Sequence, residues 1–319
     1  MDYAYFFRRD IDVGRIGTEL PNFDIFVSAY NTSDRVREVF SATRSKRKIW
    51  IVHPEYCFSR AELSISDESV WPDERDEVSQ VNNLISTIGD LSGKSLCIDI
   101  TGFMRHVLLF LVAKLQHLGV KEFVALYSEP KAYKEREDTA FSTTTSGNVG
   151  PVSGMRGRNT TASLHVDHLI LSVGYDYKLI SEVARYKDHA KVHPIFAFPS
   201  LSADMFQQSA LSSHSSGEIT KNPAWISNRK FAPANDPFST AEVVSDLVDY
   251  IDRGGKVGNI YLAPLATKIQ ALGFAIYWIF EGKYRKNGGV SILLPECLTY
   301  SRETSVGLKR LWSFTVELV

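Results

Sequence analysis

The chain has little cysteine, no surplus of either charge and no apolar run of membrane-spanning length, and each lack removes a class of protein. Its 3 cysteines, Cys57, Cys97 and Cys297, are odd in number and far apart, so no disulfide framework is expected and a reducing compartment suits them. Lys plus Arg number 36 against 37 for Asp plus Glu, so no overall field draws the protein to nucleic acid or to an anionic membrane, and any anion site must be local. The opening MDYAYFFRRDID has neither the charged start nor the apolar core of a secretory signal. The expectation is a cytoplasmic protein with no membrane association.

Familiar site signatures are lacking too. No G-x-G-x-x-G follows a strand, which argues against dinucleotide binding in the usual Rossmann manner. Gly89-Asp-Leu-Ser-Gly-Lys-Ser95 looks like a phosphate loop, but its glycines are too close together and a strand follows Lys94 where a helix is required, so it reads as a turn. His165 with His168, and His189 with His193, suggest metal only superficially. The first pair flanks a strand start, where residues three apart point to opposite faces, so no metal and no cofactor is expected.

What is present is the rhythm of an α/β protein, with 44% hydrophobic residues in short β-branched and aromatic runs that alternate with segments of helical period. In the first half, strands are expected near Asp24–Ala29, Lys48–His53, Ser95–Ile100 and Glu122–Tyr127, and helices near Ser33–Ala42, Asp73–Ile88 and Met104–Leu118, with Gly119 closing the last. The acidic run Asp73–Glu77 after Pro72 fits a helix first turn, where carboxylates are favoured.

The second half repeats the first. Asp24–Ser28 answers Asp167–Ser172, and His53-Pro54 answers Phe198-Pro199. Val81, Leu84, Ile85 and Ile88 answer Val244, Leu247, Val248 and Ile251 at an offset of 163 positions, and the same offset pairs Arg105 with Lys268 and Leu109 with Leu272. The fold class expected is therefore two tandem Rossmann-like, doubly wound halves with mainly parallel sheets, at 1–138 and 162–319. Residues 139–161, rich in Ser, Thr, Gly and Asn, read as a linker, and a stretch near 209–236 reads as an insertion in the second half.

Open parallel sheets bind ligands beyond the carboxyl ends of their strands, where helix N-termini offer backbone donors. The most informative such segment is Cys97-Ile-Asp-Ile-Thr-Gly-Phe-Met-Arg-His106: a strand ends in Asp99 and Thr101, turns at Gly102 and enters a helix with Arg105 in its first turn. A cation there is disfavoured by the helix dipole by roughly a few tenths of a kcal/mol unless an anion is near. Arg105 thus either awaits an anionic ligand or pairs with Asp99 or a neighbouring Glu.

This segment resembles the CARF domains, Rossmann-fold sensors of cyclic oligoadenylates, in which a strand runs into a D-[IV]-T-x-G-[FT]-[RK]-like turn before a helix; Asp99, Ile100, Thr101, Gly102, Phe103 and Arg105 carry the likeness over about Lys94–Tyr127. In the second half only Thr267-Lys268 fits, since Pro264 and Ala266 replace the family's Thr and Gly. Two such units in one chain resemble the related SAVED domains. The resemblance implies a sensor of a nucleotide-like small molecule, a cyclic oligonucleotide of anti-phage signalling being one example. No effector domain remains in the chain, so a separate protein partner is implied, and homo-oligomers are compatible with it.

Three functions are held together at this point. The first is a binding module whose two halves form a cleft for a nucleotide-like anion, with Arg105 and Lys268 as cationic contacts and Asn31, Thr32, Thr101, Gly102 and Thr267 completing the site. The second is a nucleotide or nucleic-acid phosphodiesterase using His53, Glu55 or His106. The third is a scaffold whose strand-end face, with Tyr30, Tyr56, Tyr175 and Phe198, meets another protein.

Overall fold

The computed structural model describes residues 1–63, 65–133, 142–157, 165–174, 176–201, 205, 207, 223–255, 257–303 and 305–319. The chain divides into two compact units: one made of Phe6–Thr144 with Cys297–Val319, the other of Met1–Tyr5 with Thr145–Glu296. No helix among the described residues is long and apolar enough to cross a membrane.

The first unit opens with β1 (Phe7–Ile11) and the short α1 (Ile16–Glu19), then runs β2 (Phe23–Ala29), α2 (Asp34–Ala42), β3 (Ser45–Ile51), β4 (Glu68–Val70), α3 (Glu77–Ile88), β5 (Leu96–Asp99), α4 (Arg105–His117) and β6 (Glu122–Tyr133). Strands β2 to β6 form a parallel sheet in the order β4-β3-β2-β5-β6. Numbered by appearance that order is 3-2-1-4-5, the doubly wound plan with its switch point between β2 and β5. The sequence shows why: Ile25, Val27, Ile49, Ile51, Leu96 and Ile98 are buried on strands covered on both faces. On one face Phe26, Val36, Val39, Phe40, Trp50, Cys97 and Leu126 share a core, in which the Phe40 and Trp50 rings stack with centroids 3.6 Å apart. Burying an aromatic ring of this size contributes about 3 kcal/mol. Helix α3 begins at Glu77 with Asp76 as its cap, accepting from the Ser79 amide, so of the acidic run Glu77 lies in the first turn, Asp76 caps the helix and Asp73 and Glu74 precede it.

The second unit contains β7 (Ser142–Pro151, which enters it at Thr145), β8 (Val166–Val173), α5 (Tyr177–Tyr186), β9 (Lys191–Ala197), α6 (Pro223–Ser227), β10 (Lys230–Ala232), α7 (Pro237–Arg253), β11 (Val257–Pro264), α8 (Lys268–Phe280) and β12 (Val290–Tyr300, as far as Glu296). Its sheet runs β10-β9-β8-β11-β12-β7, and its parallel part is again 3-2-1-4-5. The two third strands, β4 and β10, are both three-residue edge strands, and α4 and α8 are both 13 residues long. The 163-position register read from the sequence therefore maps the ends of α4 onto the ends of α8. Helix α8 is buried from Lys268 to Ile279, and at Gly273 a Cβ would stand 2.4 Å from the Pro237 carbonyl oxygen, which is how α7 approaches it so closely.

Of the expected linker at 139–161, residues 139–141 and 158–161 lie outside the described residues, and the part between them differs from the expectation. Residues 142–151 of it form β7, a strand that follows the first-half sequence but lies beside β12 in the other sheet. The reciprocal strand β13 (Ser305–Glu317) follows β12 but pairs antiparallel with β6, from Glu317 opposite Glu122 to Ser305 opposite Tyr133, and β1 then adds antiparallel to β13. Each sheet is thus finished by a strand from the other half of the sequence, and the boundaries fall at Thr144/Thr145 and Glu296/Cys297. Of the expected insertion at 209–236, residues 209–222 lie outside the described residues, whereas 223–236 hold α6 and the sheet strand β10.

Candidate functional site

In the first unit the carboxyl ends of β2 and β5 lie at the switch point, and the two segments that leave them meet there without room for a side chain. A Cβ on Gly102 would stand 2.3 Å from the Ala29 carbonyl oxygen and 3.1 Å from the side-chain Nδ2 of Asn31, which is why glycine occupies the turn. Around this contact the strand ends are tied by polar bonds. Ser28 Oγ donates to Asp99 Oδ2 at 2.9 Å and the Thr101 amide donates to Asp99 Oδ1 at 3.1 Å. Thr101 Oγ1 lies 3.0 Å from Ser128 Oγ and accepts from the Ser128 amide at 3.0 Å. Asn31 Oδ1 accepts from the Ser33 amide at 2.9 Å, forming the turn that leads into α2, and Thr32 Oγ1 donates to the Arg302 carbonyl at 3.1 Å. Asp99 is completely buried, and the desolvation lifts its pKa above the usual carboxylate range against the bonds from Thr101 and Ser28.

Five of the expected residues, Asn31, Thr32, Thr101, Gly102 and Arg105, are therefore carried on two adjacent strand ends and the helices that follow them. Arg105 is the first residue of α4, whose N-cap Met104 makes no side-chain cap bond. The sequence reading overlooked Arg35. It lies in the first turn of α2, is 7% exposed, donates from Nη1 to the Ser128 carbonyl, and sits 6.0 Å from the Tyr127 ring centroid. Its Nε is buried without a hydrogen-bond partner. The signal that singled out Arg105, a cation in a helix first turn after a sheet strand, applies equally to Arg35 in Asp34-Arg-Val-Arg37.

Tyr56, proposed above as an interface aromatic, is instead buried at 3% exposure, donating its hydroxyl to the Gly102 carbonyl at 2.8 Å and accepting from Asn31. Burial raises its phenol pKa well above the ordinary value. Tyr30 is half-buried and packs edge-on against Trp50 and Phe58, at 5.3 and 5.4 Å between centroids. Phe198 is 56% exposed, and Tyr175 lies outside the described residues.

The three residues of the phosphodiesterase reading converge on one network. His53 Nδ1 is 2.6 Å from Gln80 Oε1, Gln80 Nε2 donates to Glu55 Oε1 at 3.1 Å, and His106 Nε2 is 3.1 Å from the same Glu55 oxygen. His53 Nε2 is 3.4 Å from the Met104 amide at the start of α4. Gln80, on α3, is the bridging member that sequence spacing could not supply.

In the second unit Thr267 caps α8, accepting from the Gln270 amide at 3.1 Å while donating to the Ala234 carbonyl at 3.0 Å. Lys268, the first residue of α8, is 8% exposed. The close approach at this switch point is made by Gly174 after β8, where a Cβ would lie 2.5 Å from the Leu265 carbonyl oxygen. His168 and His193 pair with each other, Nδ1 to Nε2 at 2.9 Å, and no group of three potential metal-ligating side chains occurs among the described residues. No protein-family model matches the chain, and no curated protein matches it.

Proposed function

We propose that the chain is a binding module for a nucleotide-like anionic ligand, taken at the carboxyl ends of the parallel strands, with its output passed to a separate protein partner. One observation carries this reading: both units have the 3-2-1-4-5 strand order, and in both the first residue of the helix after the fourth strand is a cation, Arg105 on α4 and Lys268 on α8. A helix N-terminus beyond a switch point is where an open parallel sheet binds anions, and a cation disfavoured by its own helix dipole is favoured once a phosphate is there. Asn31, Thr32, Thr101 and Gly102 shape the rim in the first unit, with Arg35 supplying a second charge beside them, and Thr267 shapes the rim in the second. The resemblance of the Asp99–Arg105 segment to CARF domains makes cyclic oligoadenylates the first ligands to try.

A charge-assisted contact to phosphate contributes about 1.5–3 kcal/mol, so losing one weakens binding roughly ten- to a hundred-fold. The test is a thermal-shift screen of cyclic oligonucleotides and mononucleotides, followed by titration of the best binder against Arg105→Ala and Lys268→Ala. Unchanged affinity in both folded variants removes the site.

A further inference from the structure

We infer that the second unit binds single-stranded nucleic acid at the amino end of its sheet, opposite its switch point, through a basic surface that meets phosphates and exposed tyrosines that stack on bases. The inference is independent of the anion site at the starts of α4 and α8.

The topology gathers the basic surface. Strands β8 to β12 are parallel, so their first residues share one end of the sheet with the last turns of α5, α7 and α8, which run back to it. Lys191 opens β9, Lys230 opens β10, Arg253 ends α7, and Lys286 lies between α8 and β12. Arg156 stands within electrostatic reach of Lys187, just after α5. These five cations are exposed, and none forms an ion pair with a described residue. Helix C-termini favour cations, which accounts for Arg253, but Lys191 and Lys230 sit on strands and Arg156 on an irregular segment, where no helix dipole calls for them. The first unit shows the alternative. At the same end of its sheet Lys46 is neutralised by Asp24 and Arg47 by Glu68, each pair at 2.7 Å. In the second unit Asp167, which answers Asp24, accepts instead from the Asn259 amide at 2.7 Å and the Tyr261 hydroxyl at 3.3 Å, and Lys191 is left without it. Asp252 is held by two bonds from Arg285, at 2.6 and 3.0 Å. The whole chain carries a formal charge of -1, so this excess of positive charge is local. Its field reaches inward: beyond the effect of burial, Lys191 pushes down the pKa values of both His168 and His193, joined by Arg285 at the first and Lys230 at the second.

Three tyrosines interleave with these charges and select the partner. Tyr186 ends α5 and is 49% exposed, Tyr250 lies in the last turn of α7 at 65%, and Tyr284 follows α8, also at 65%. Each ring has a lysine ammonium beside it: Lys187 at 4.7 Å, Lys230 at 5.7 Å and Lys283 at 4.9 Å from the centroid. Cations alternating with exposed rings match the alternation of phosphates and bases along a polynucleotide. In a duplex the bases stack on each other, so the rings select a single strand. An acidic peptide would meet the charge and leave the rings unused, and an anionic membrane would call for a broad apolar face to insert.

Fluorescence anisotropy of the full chain with labelled oligothymidylate and oligouridylate of about 12 nucleotides measures the binding, and the two probes tell DNA from RNA. With about four phosphates neutralised, log K should fall against log salt with a slope of about -3, roughly a 50-fold loss between about 50 and 200 mM NaCl. Lys191→Ala/Lys286→Ala should weaken binding and reduce that slope by about 1.4, the share of two phosphates. Tyr250→Ser/Tyr284→Ser should weaken binding at least about fivefold and leave the slope unchanged, as loss of stacking does. All four side chains are exposed, so the thermal midpoints should stay near that of the wild type; should the tyrosine variant fail to fold, the lysine variant decides alone. No binding of either probe at about 50 mM salt, equal affinity for an abasic oligomer of the same length, or tighter binding to phosphatidylserine vesicles overturns the inference. So does binding that is lost in Arg105→Ala/Lys268→Ala but intact in Lys191→Ala/Lys286→Ala, because the strand then lies at the carboxyl ends of the sheets.

Discussion

The buried histidine pair of the second unit makes the fold sensitive to mild acid, and the size of the effect can be worked from its geometry. His168 on β8 and His193 on β9 lie diagonally across one ladder, since His168 is opposite Lys191 and Ile170 is opposite His193. Their rings stack with centroids 5.2 Å apart, one nitrogen donates to the other at 2.9 Å, and their exposures are 8% and 3%. Burial first, and then the charges of Lys191 and Arg285, push the His168 pKa down to about 4. Burial, His168, Lys191 and Lys230 push that of His193 down to about 3, while Asp167 and Asp252 act in the opposite direction on His168. Both rings are neutral in the folded and unfolded chain above an ordinary histidine pKa of about 6.5, so no penalty exists at neutral pH. Below it the unfolded chain takes up protons that the folded pair refuses, so stability falls as pH drops from about 6.5 towards the folded values of about 4 and about 3. Each pH unit in that window costs up to about 1.4 kcal/mol per ring, so two units down the pair costs on the order of 3–5 kcal/mol, a large part of a domain's stability of about 5–15 kcal/mol. Urea unfolding of the wild type and of His168→Met/His193→Leu, at pH 7.0 and pH 4.5, measures this. The double replacement removes both polar partners and leaves no orphan. The wild type should lose more stability than the variant between the two pH values by that amount. Parallel losses in the two proteins would refute the linkage.

Gly102→Ala should destabilise the first unit by roughly 2–4 kcal/mol, because its Cβ would meet the Ala29 backbone oxygen at 2.3 Å rather than a yielding side chain; chemical denaturation reads the change. Asp236 caps α7 by accepting from the Phe238 and Ser239 amides at 3.0 and 3.2 Å, so Asp236→Ala should lower stability by about 1–2 kcal/mol, while Asp236→Asn should retain most of it, both seen as shifts in thermal midpoint.

Much of the fold was legible because its signals are local. The strands expected at Asp24–Ala29 and Ser95–Ile100 appear as β2 and β5, and Met104 and Gly119 flank α4 as its spacing of apolar residues requires, with Gly119 at φ +75°. The offset joining Val81 to Val244 and Arg105 to Lys268 carried the matching strand order of the two sheets, because both are records of the same strand and helix rhythm. The candidate site was legible in part: the segments that bear Asn31, Thr101 and Arg105 follow from the rule that ligands sit at strand ends, and the motif at Asp99–Arg105 marks one of them.

Other features depend on which distant segments meet, and no local pattern encodes that. Nothing in Ser305–Glu317 says that it completes the first sheet, because its partner β6 lies some 180 positions away and any β-branched, alternating strand could make the same ladder. The burial of Arg35 and Tyr56 follows from what packs over them, not from their neighbours in sequence. His53, Glu55 and His106 were visible as separate side chains of suitable chemistry, but a hydrogen-bonded network needs Gln80 from a third segment and distances near 3 Å, which packing alone sets. By itself the sequence determined the α/β class and the matching strand and helix rhythm of the two halves, since hydrophobic period and turn residues act over a few positions. Only the tertiary structure decided the exchange of β7 and β13, the pairing of the buried histidines and the carboxylate behind His106, because each of these is a contact between residues that the chain brings together only when it folds.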